Sequence, residues 1–160
     1  MRKEKGLSLI EMSISLILAL LFVTGTVYAI SLAQRFSQAK ELANELAQIK
    51  EKVKQSRLNY SAGQQINAGD YLHENGRSYN INFGKDDFIL VYSTDSSIKW
   101  TKDFAYMVCT LIKKDCIFMS GTKIKHISPL FPVQDLKDYM FAVPPQREGF
   151  IAGILFKKED

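Results

Sequence analysis

The chain has 160 residues, a formal charge of +4, two cysteines and one tryptophan. That length holds one modest domain and not two. Residues 1–6 carry three bases and one acid, and elsewhere bases alternate with acids, as in Lys40-Glu41, Lys50-Glu51-Lys52 and Lys85-Asp86-Asp87. Such alternation marks a solvated surface and excludes a dense basic groove, so no nucleic-acid partner is expected.

The apolar residues are unevenly placed, and many lie between Leu7 and Ala33. No residue from 12 to 33 is charged. As a helix these residues span about 33 Å, enough to cross a bilayer core. Arg2, Lys3 and Lys5 precede the run, which places the N-terminus in the cytoplasm and the bulk of the chain outside it. A conventional secretory signal has a shorter apolar core, about 7 to 15 residues, and a small-residue cleavage site after it. Here the helical pattern continues through the small residues near Ala29 and Ala33. Glu11 stands alone as an acid at the head of this run. Local chemistry allows two readings: an interfacial acid favoured by the helix dipole, or a functional carboxylate at the membrane edge.

Lys5-Gly6-Leu7-Ser8-Leu9-Ile10-Glu11, followed directly by the apolar run, resembles the processing site of type IV prepilins and of type II secretion pseudopilins. Two residues depart from the commonest pattern: Leu7 stands for phenylalanine and Ser8 for threonine. The resemblance implies cleavage by a prepilin peptidase between Gly6 and Leu7, and methylation of the Leu7 amine. It also implies that Glu11, fifth residue of the mature chain, acts in assembly by pairing with the Leu7 amine of a neighbouring subunit. The implied partners are other pilin subunits, the prepilin peptidase, an inner-membrane assembly platform and, before assembly, membrane lipid. The implied location is the bacterial inner membrane, single-pass with the head periplasmic, and then a pilus fibre or a periplasmic pseudopilus.

The helical pattern continues past the membrane run. Leu42, Leu46, Ile49 and Val53 make one apolar stripe at intervals of four, three and four. Lys40, Glu41, Glu45, Lys50, Glu51, Lys52 and Lys54 are assigned to the other faces. The expected organisation is a leader over 1–6, an apolar helix over 7–34, its amphipathic second half over 35–58 and a globular head over 59–160. The stripe must be buried, either on a sheet of the same chain or in a coiled coil. It lasts only about two heptads, short of a confident coiled coil. Gly25 interrupts the apolar half, as a close-packing position or a plain lipid-exposed glycine.

Turn formers over 59–69 end the helix, and Asn75-Gly76 is a turn dipeptide. Strands are expected at 79–83, at 88–92, at 140–143 and at 150–156, with Pro144-Pro145 and Glu148-Gly149 turning the last two. Residues 102–112 read as a short amphipathic helix with Phe104, Met107, Val108 and Leu111 on one side. The fold expected is α+β, a long N-terminal helix packed on an antiparallel sheet, the layout of pilins.

Cys109 and Cys116 are an even pair in an exported chain, which suggests a disulfide; two free thiols are the alternative. Seven residues of continuous helix would hold their Cα atoms about 10 Å apart, and a bridge needs less than about 7 Å. A bridge therefore requires the helix to end near Lys113-Lys114-Asp115.

No nucleotide-binding glycine loop, nucleophile motif or metal-ligand spacing occurs, so no enzyme activity, cofactor or metal is expected. His73 and His126 read as surface or loop residues, and Asp86-Asp87 and Asp135/Asp138 as solvated acids, with calcium as the alternative for the acid pairs. A second resemblance sharpens the subtype. Leu32-Ala33-Gln34-Arg35, a strand from Phe88, and a helix carrying Cys109-Thr110-Leu111-Ile112 resemble type IVb pilins of the toxin-coregulated or bundle-forming kind. The short leader is similar to type IVa, and the cysteine loop is shorter than in major type IVb subunits, which points to a minor pilin. The alternatives are a type II secretion pseudopilin and, in another class, a membrane-anchored periplasmic binding or sensing module.

Overall fold

The computed structural model describes residues 8–55, 63–67, 77–126, 135–141 and 150–157, without the side chains of 65–67 and 125–126. The chain divides into two units, one ending at Ser37 and the other beginning at Gln38.

The first helix, α1, runs Leu9–Gln55 and so belongs to both units. Its interior holds no proline and one glycine, so nothing removes a backbone donor over 47 residues. Within the first unit every described residue is exposed, including Leu16, Leu20, Phe22, Val27 and Ile30. Three hydroxyls in this stretch are satisfied by their own helix. Ser13 Oγ donates to the Leu9 carbonyl at 2.8 Å, Thr24 Oγ1 to Leu20 at 2.9 Å and Thr26 Oγ1 to Phe22 at 3.0 Å. Such back-bonding shields these three hydroxyl protons from an apolar solvent. The helix is long and apolar enough to cross a membrane.

The second unit is a helix-and-sheet domain. Its strands are β1 (Gln65–Asn67), β2 (Tyr79–Phe83), β3 (Phe88–Ser93), β4 (Cys116–Ser120), β5 (Lys123–His126) and β6 (Phe150–Lys157). They form one antiparallel sheet in the order β1-β2-β3-β6-β4-β5. The last strand thus sits between β3 and β4, and residue 154 pairs with Val91 on one side and Cys116 on the other. A second helix, α2 (Lys102–Ile112), precedes β4. Thr101 caps it, accepting from the Phe104 N–H at 3.2 Å.

Alternation along the strands divides the core in two. One face carries Tyr79, Ile81, Ile89, Val91, Phe118, Ile154 and Phe156, and on it pack the α1 stripe Ala39, Leu42, Leu46, Ile49 and Val53 and the α2 residues Phe104, Ala105 and Val108. The α1 stripe is fully buried, so the amphipathic half of α1 is a sheet-packed helix. The other face carries Leu90, Tyr92, Ile117, Met119 and Leu155, packed with Leu136, Tyr139 and Met140. Strand β3 is buried along its whole length because it serves both cores.

Two expectations are corrected. The strand expected at 140–143 is absent over its described part. Met140 and Phe141 follow a 3-10 turn at Leu136–Asp138, and Met140 is buried as a plug on the second core. An apolar run of that length does not distinguish a strand from a packed turn. Glu45, assigned to a solvent face, is buried at 5% exposure. Strands β1, β4 and β5 were not expected. The turns at Asn75-Gly76 and Pro144-Pro145, and His73, lie outside the described residues.

Candidate functional site: the start of the long helix and its clasp to the sheet

Gly6 and Leu7 lie outside the described residues. Ser8 stands immediately before α1 and accepts the first helical bond, from the Met12 N–H at 3.0 Å. Its hydroxyl accepts from the Glu11 N–H at 3.2 Å, and Glu11 Oε2 accepts from the Ser8 N–H at 3.0 Å. This reciprocal pair is a capping box, which satisfies two of the donors that a helix start leaves unpaired. It places the carboxylate at the positive end of the helix dipole, where a negative charge is favoured. Glu11 is exposed and lies immediately before a stretch without any charge.

Sequence reasoning missed the polar contacts that hold α1 to the sheet. Glu41 and Glu45, one turn apart, both face Arg77 at the start of β2. Arg77 Nη2 donates to Glu41 Oε2 at 2.9 Å, and Nη1 lies 3.6 Å from Glu45 Oε1. The Tyr79 hydroxyl donates to Glu45 Oε2. Burial opposes the Arg77 charge, but Glu45, Tyr79 and Glu41 outweigh it and hold its pKa above the ordinary value. Burial, and then the Glu45 contact, push the Tyr79 phenol well above its ordinary range, with Arg77 opposing. The one sequence signal was the Glu41/Glu45 spacing, which puts both acids on one helix face beside the apolar stripe.

A second contact lies farther along α1. Lys50 pairs with Asp115, and its ammonium sits 5.7 Å from the centre of the Phe156 ring. Asp115 belongs to the loop closed by the Cys109–Cys116 disulfide, whose Cα atoms are 5.1 Å apart. Helix α2 ends at Ile112, and Lys113 and Asp115 take positive φ values of 66° and 63°. These positive-φ residues reverse the chain, Lys113 at the centre of a tight turn in which the Lys114 N–H donates to the Ile112 carbonyl at 2.9 Å, so Cys116 returns beside Cys109. Both cysteines are buried.

The remaining candidates are brought into no common site. Asp86 and Asp87 form the exposed β2–β3 turn, and Asp135 caps the 3-10 turn by accepting from the Lys137 N–H at 3.0 Å. His126 lies in β5. Among the described residues no group of three or more His, Cys, Asp or Glu is placed to hold a metal ion. No family model, no curated protein and no solved structure matches this chain.

Proposed function

We propose that the chain is a type IV pilin-like structural subunit, a minor pilin, cleaved and N-methylated after Gly6 and assembled into a filament through α1. The observation that carries this reading is the isolated acid Glu11, five residues past Gly6, at the head of a helix with no other charge through residue 33. The full exposure of that apolar stretch supports it, because such a surface requires lipid or other helices around it. In the membrane the apolar half of α1 is stored among lipid tails. In the filament it packs against the same half of neighbouring copies, and the head is carried on the sheet-packed half.

Glu11 then supplies both affinity and register. Its carboxylate meets the methylated, still cationic amine of Leu7 on the neighbouring subunit. Two opposite charges a few ångströms apart in an apolar surround attract strongly, which offsets the cost of removing each from water. The capping box occupies Oε2 and leaves Oε1 for that partner. Replacing Glu11 by Gln keeps an acceptor for the Ser8 N–H and removes the charge; replacing it by Leu removes both. Both variants are expected to remain in the membrane and to lose incorporation into fibres, read by immunogold labelling of sheared surface filaments. Incorporation of either variant at the level of the unaltered chain rejects the pairing role.

A further inference from the structure

The one tryptophan of the chain lies at the end of the head where α1 enters it. Register fixes that end. Tyr79 pairs with Ser93, so the start of β2 and the end of β3 lie together. Arg77, just before β2, reaches Glu41, close to the first core residue of α1, Ala39. The chain leaves β3 there, with the Thr94 N–H donating to the Ser78 carbonyl at 2.9 Å. It then passes through Thr94-Asp95-Ser96-Ser97 to Ile98, Lys99, Trp100 and the cap of α2. The far end of α2 meets the disulfide loop, whose Asp115 pairs with Lys50, nine residues beyond Glu41 along α1. Helix α2 is therefore anchored at its far end to the later part of α1 and begins near the earlier part.

We propose that the surface made by Lys40, Lys99, Trp100 and Lys102 docks on the phospholipid headgroups of the membrane that stores α1. The proposal rests on the reading of residues 12–33 as a membrane span. Chain length argues for it. Ala33 ends the apolar run, and Ala39 is fully buried in the head. Six residues cover about 9 Å as a helix and no more than about 21 Å fully extended. The headgroup layer is about 5 to 7 Å thick on each side of the hydrocarbon. That tether is short enough for the head to reach the headgroup layer.

The chemistry at that end suits it. Lys40, Lys99 and Lys102 are exposed, and Trp100 packs on Phe104 at 5.5 Å between ring centres while part of it stays exposed. Tryptophan beside lysine is the pairing that membrane interfaces favour, a flat apolar ring at headgroup depth and an ammonium reaching phosphate. Of the nearby acids, Glu41 is paired with Arg77, while Asp95, held ionised by the Ser97 backbone N–H and hydroxyl, and the exposed Asp103 leave the three lysines in excess by one charge.

Trp100 is its own reporter. The full chain is reconstituted into phosphatidylcholine vesicles carrying a nitroxide either on the headgroup or midway along the acyl chain, and Trp100 emission is read. The expected result is strong loss of emission with the headgroup nitroxide, a much smaller loss with the mid-chain one, and recovery of emission in the Lys99→Glu/Lys102→Glu chain. Both lysines are exposed, so this variant keeps the fold. Emission insensitive to either nitroxide in a chain that still floats with the vesicles overturns the docking surface and leaves the membrane span standing. Quenching unchanged in the double variant, or seen only at high protein-to-lipid ratio, also overturns it, the latter assigning the surface to a second copy. A chain that does not float with vesicles overturns the span and the docking together.

Discussion

Arg77, Glu45 and Tyr79 decide how firmly α1 is held by polar contacts. Glu45 is buried, and it meets the Tyr79 hydroxyl and the Arg77 guanidinium. Removing one partner of such a pair leaves a charge in the core, which costs more than the pair itself contributes. Arg77→Ala is expected to destabilise the head by about 3 kcal/mol, and Tyr79→Phe by about 1.5 kcal/mol, both read by urea unfolding of the detergent-held chain. Tyr79 also sets an alkaline limit. Its folded-state pKa is raised, first by burial. The stabilisation is therefore complete below the unfolded value of about 10 and is lost as pH rises through the folded one. In a phenolate absorbance titration, the difference between the unaltered chain and Tyr79→Phe is expected to stay flat through the ordinary tyrosine range and to appear only with alkaline unfolding. A difference that develops near the ordinary tyrosine value contradicts the buried contact.

Among the elements, the disulfide loop and the β2–β3 turn carry the sharpest constraints. The Cys109–Cys116 loop is short, so its chain-entropy contribution is about 2.5 kcal/mol, and Cys109→Ala/Cys116→Ala is expected to lower stability by about that amount. Gly84 opens the β2–β3 turn where the segment after the 3-10 turn crosses it. A Cβ there would lie 2.2 Å from the Tyr139 carbonyl oxygen and 2.3 Å from the Met140 sulfur. The same crossing is fixed by the Lys85 N–H donating to the Tyr139 carbonyl at 2.7 Å. Gly84→Ala is thus expected to cost about 2 kcal/mol or more, seen as a lower melting temperature with the disulfide intact.

Much of this architecture is legible in the order of residues. The stripe Leu42, Leu46, Ile49 and Val53 announces a helix face to be buried, and it is buried. The alternation at Tyr79–Phe83 and the apolar, β-favouring run from Phe88 are strands, and α2 occupies the range its amphipathic pattern sets. Strands β4 and β5 escaped because Cys116-Ile117-Phe118-Met119 is an unalternating apolar run, and a bulge between Phe118 and Met119 breaks its pairing register. The burial of Glu45 was illegible for a different reason. Its partner Arg77 lies 32 positions away and meets it only through β2, so no local pattern separates Glu45 from the solvated acids around it.

At the scale of the whole molecule, α1 serves two different solvents. Its first half offers an apolar surface with the Ser13, Thr24 and Thr26 hydroxyls satisfied within the helix, which suits lipid tails and neighbouring helices alike. Its second half is held by an apolar stripe and by polar contacts at Glu41, Glu45 and Lys50. The proposed function has the subunit move between membrane and filament without refolding its head. That account depends on processing at Gly6, since only cleavage exposes the Leu7 amine to Glu11 of another copy. The direct measurement is the intact mass and N-terminal fragment spectrum of the chain extracted from bacterial membranes that hold a prepilin peptidase. The account predicts a chain beginning at Leu7 and carrying one added methyl group, and an unprocessed chain when Gly6 is replaced by a bulky residue. A mature chain that keeps residues 1–6, or one cut after the apolar run, contradicts it.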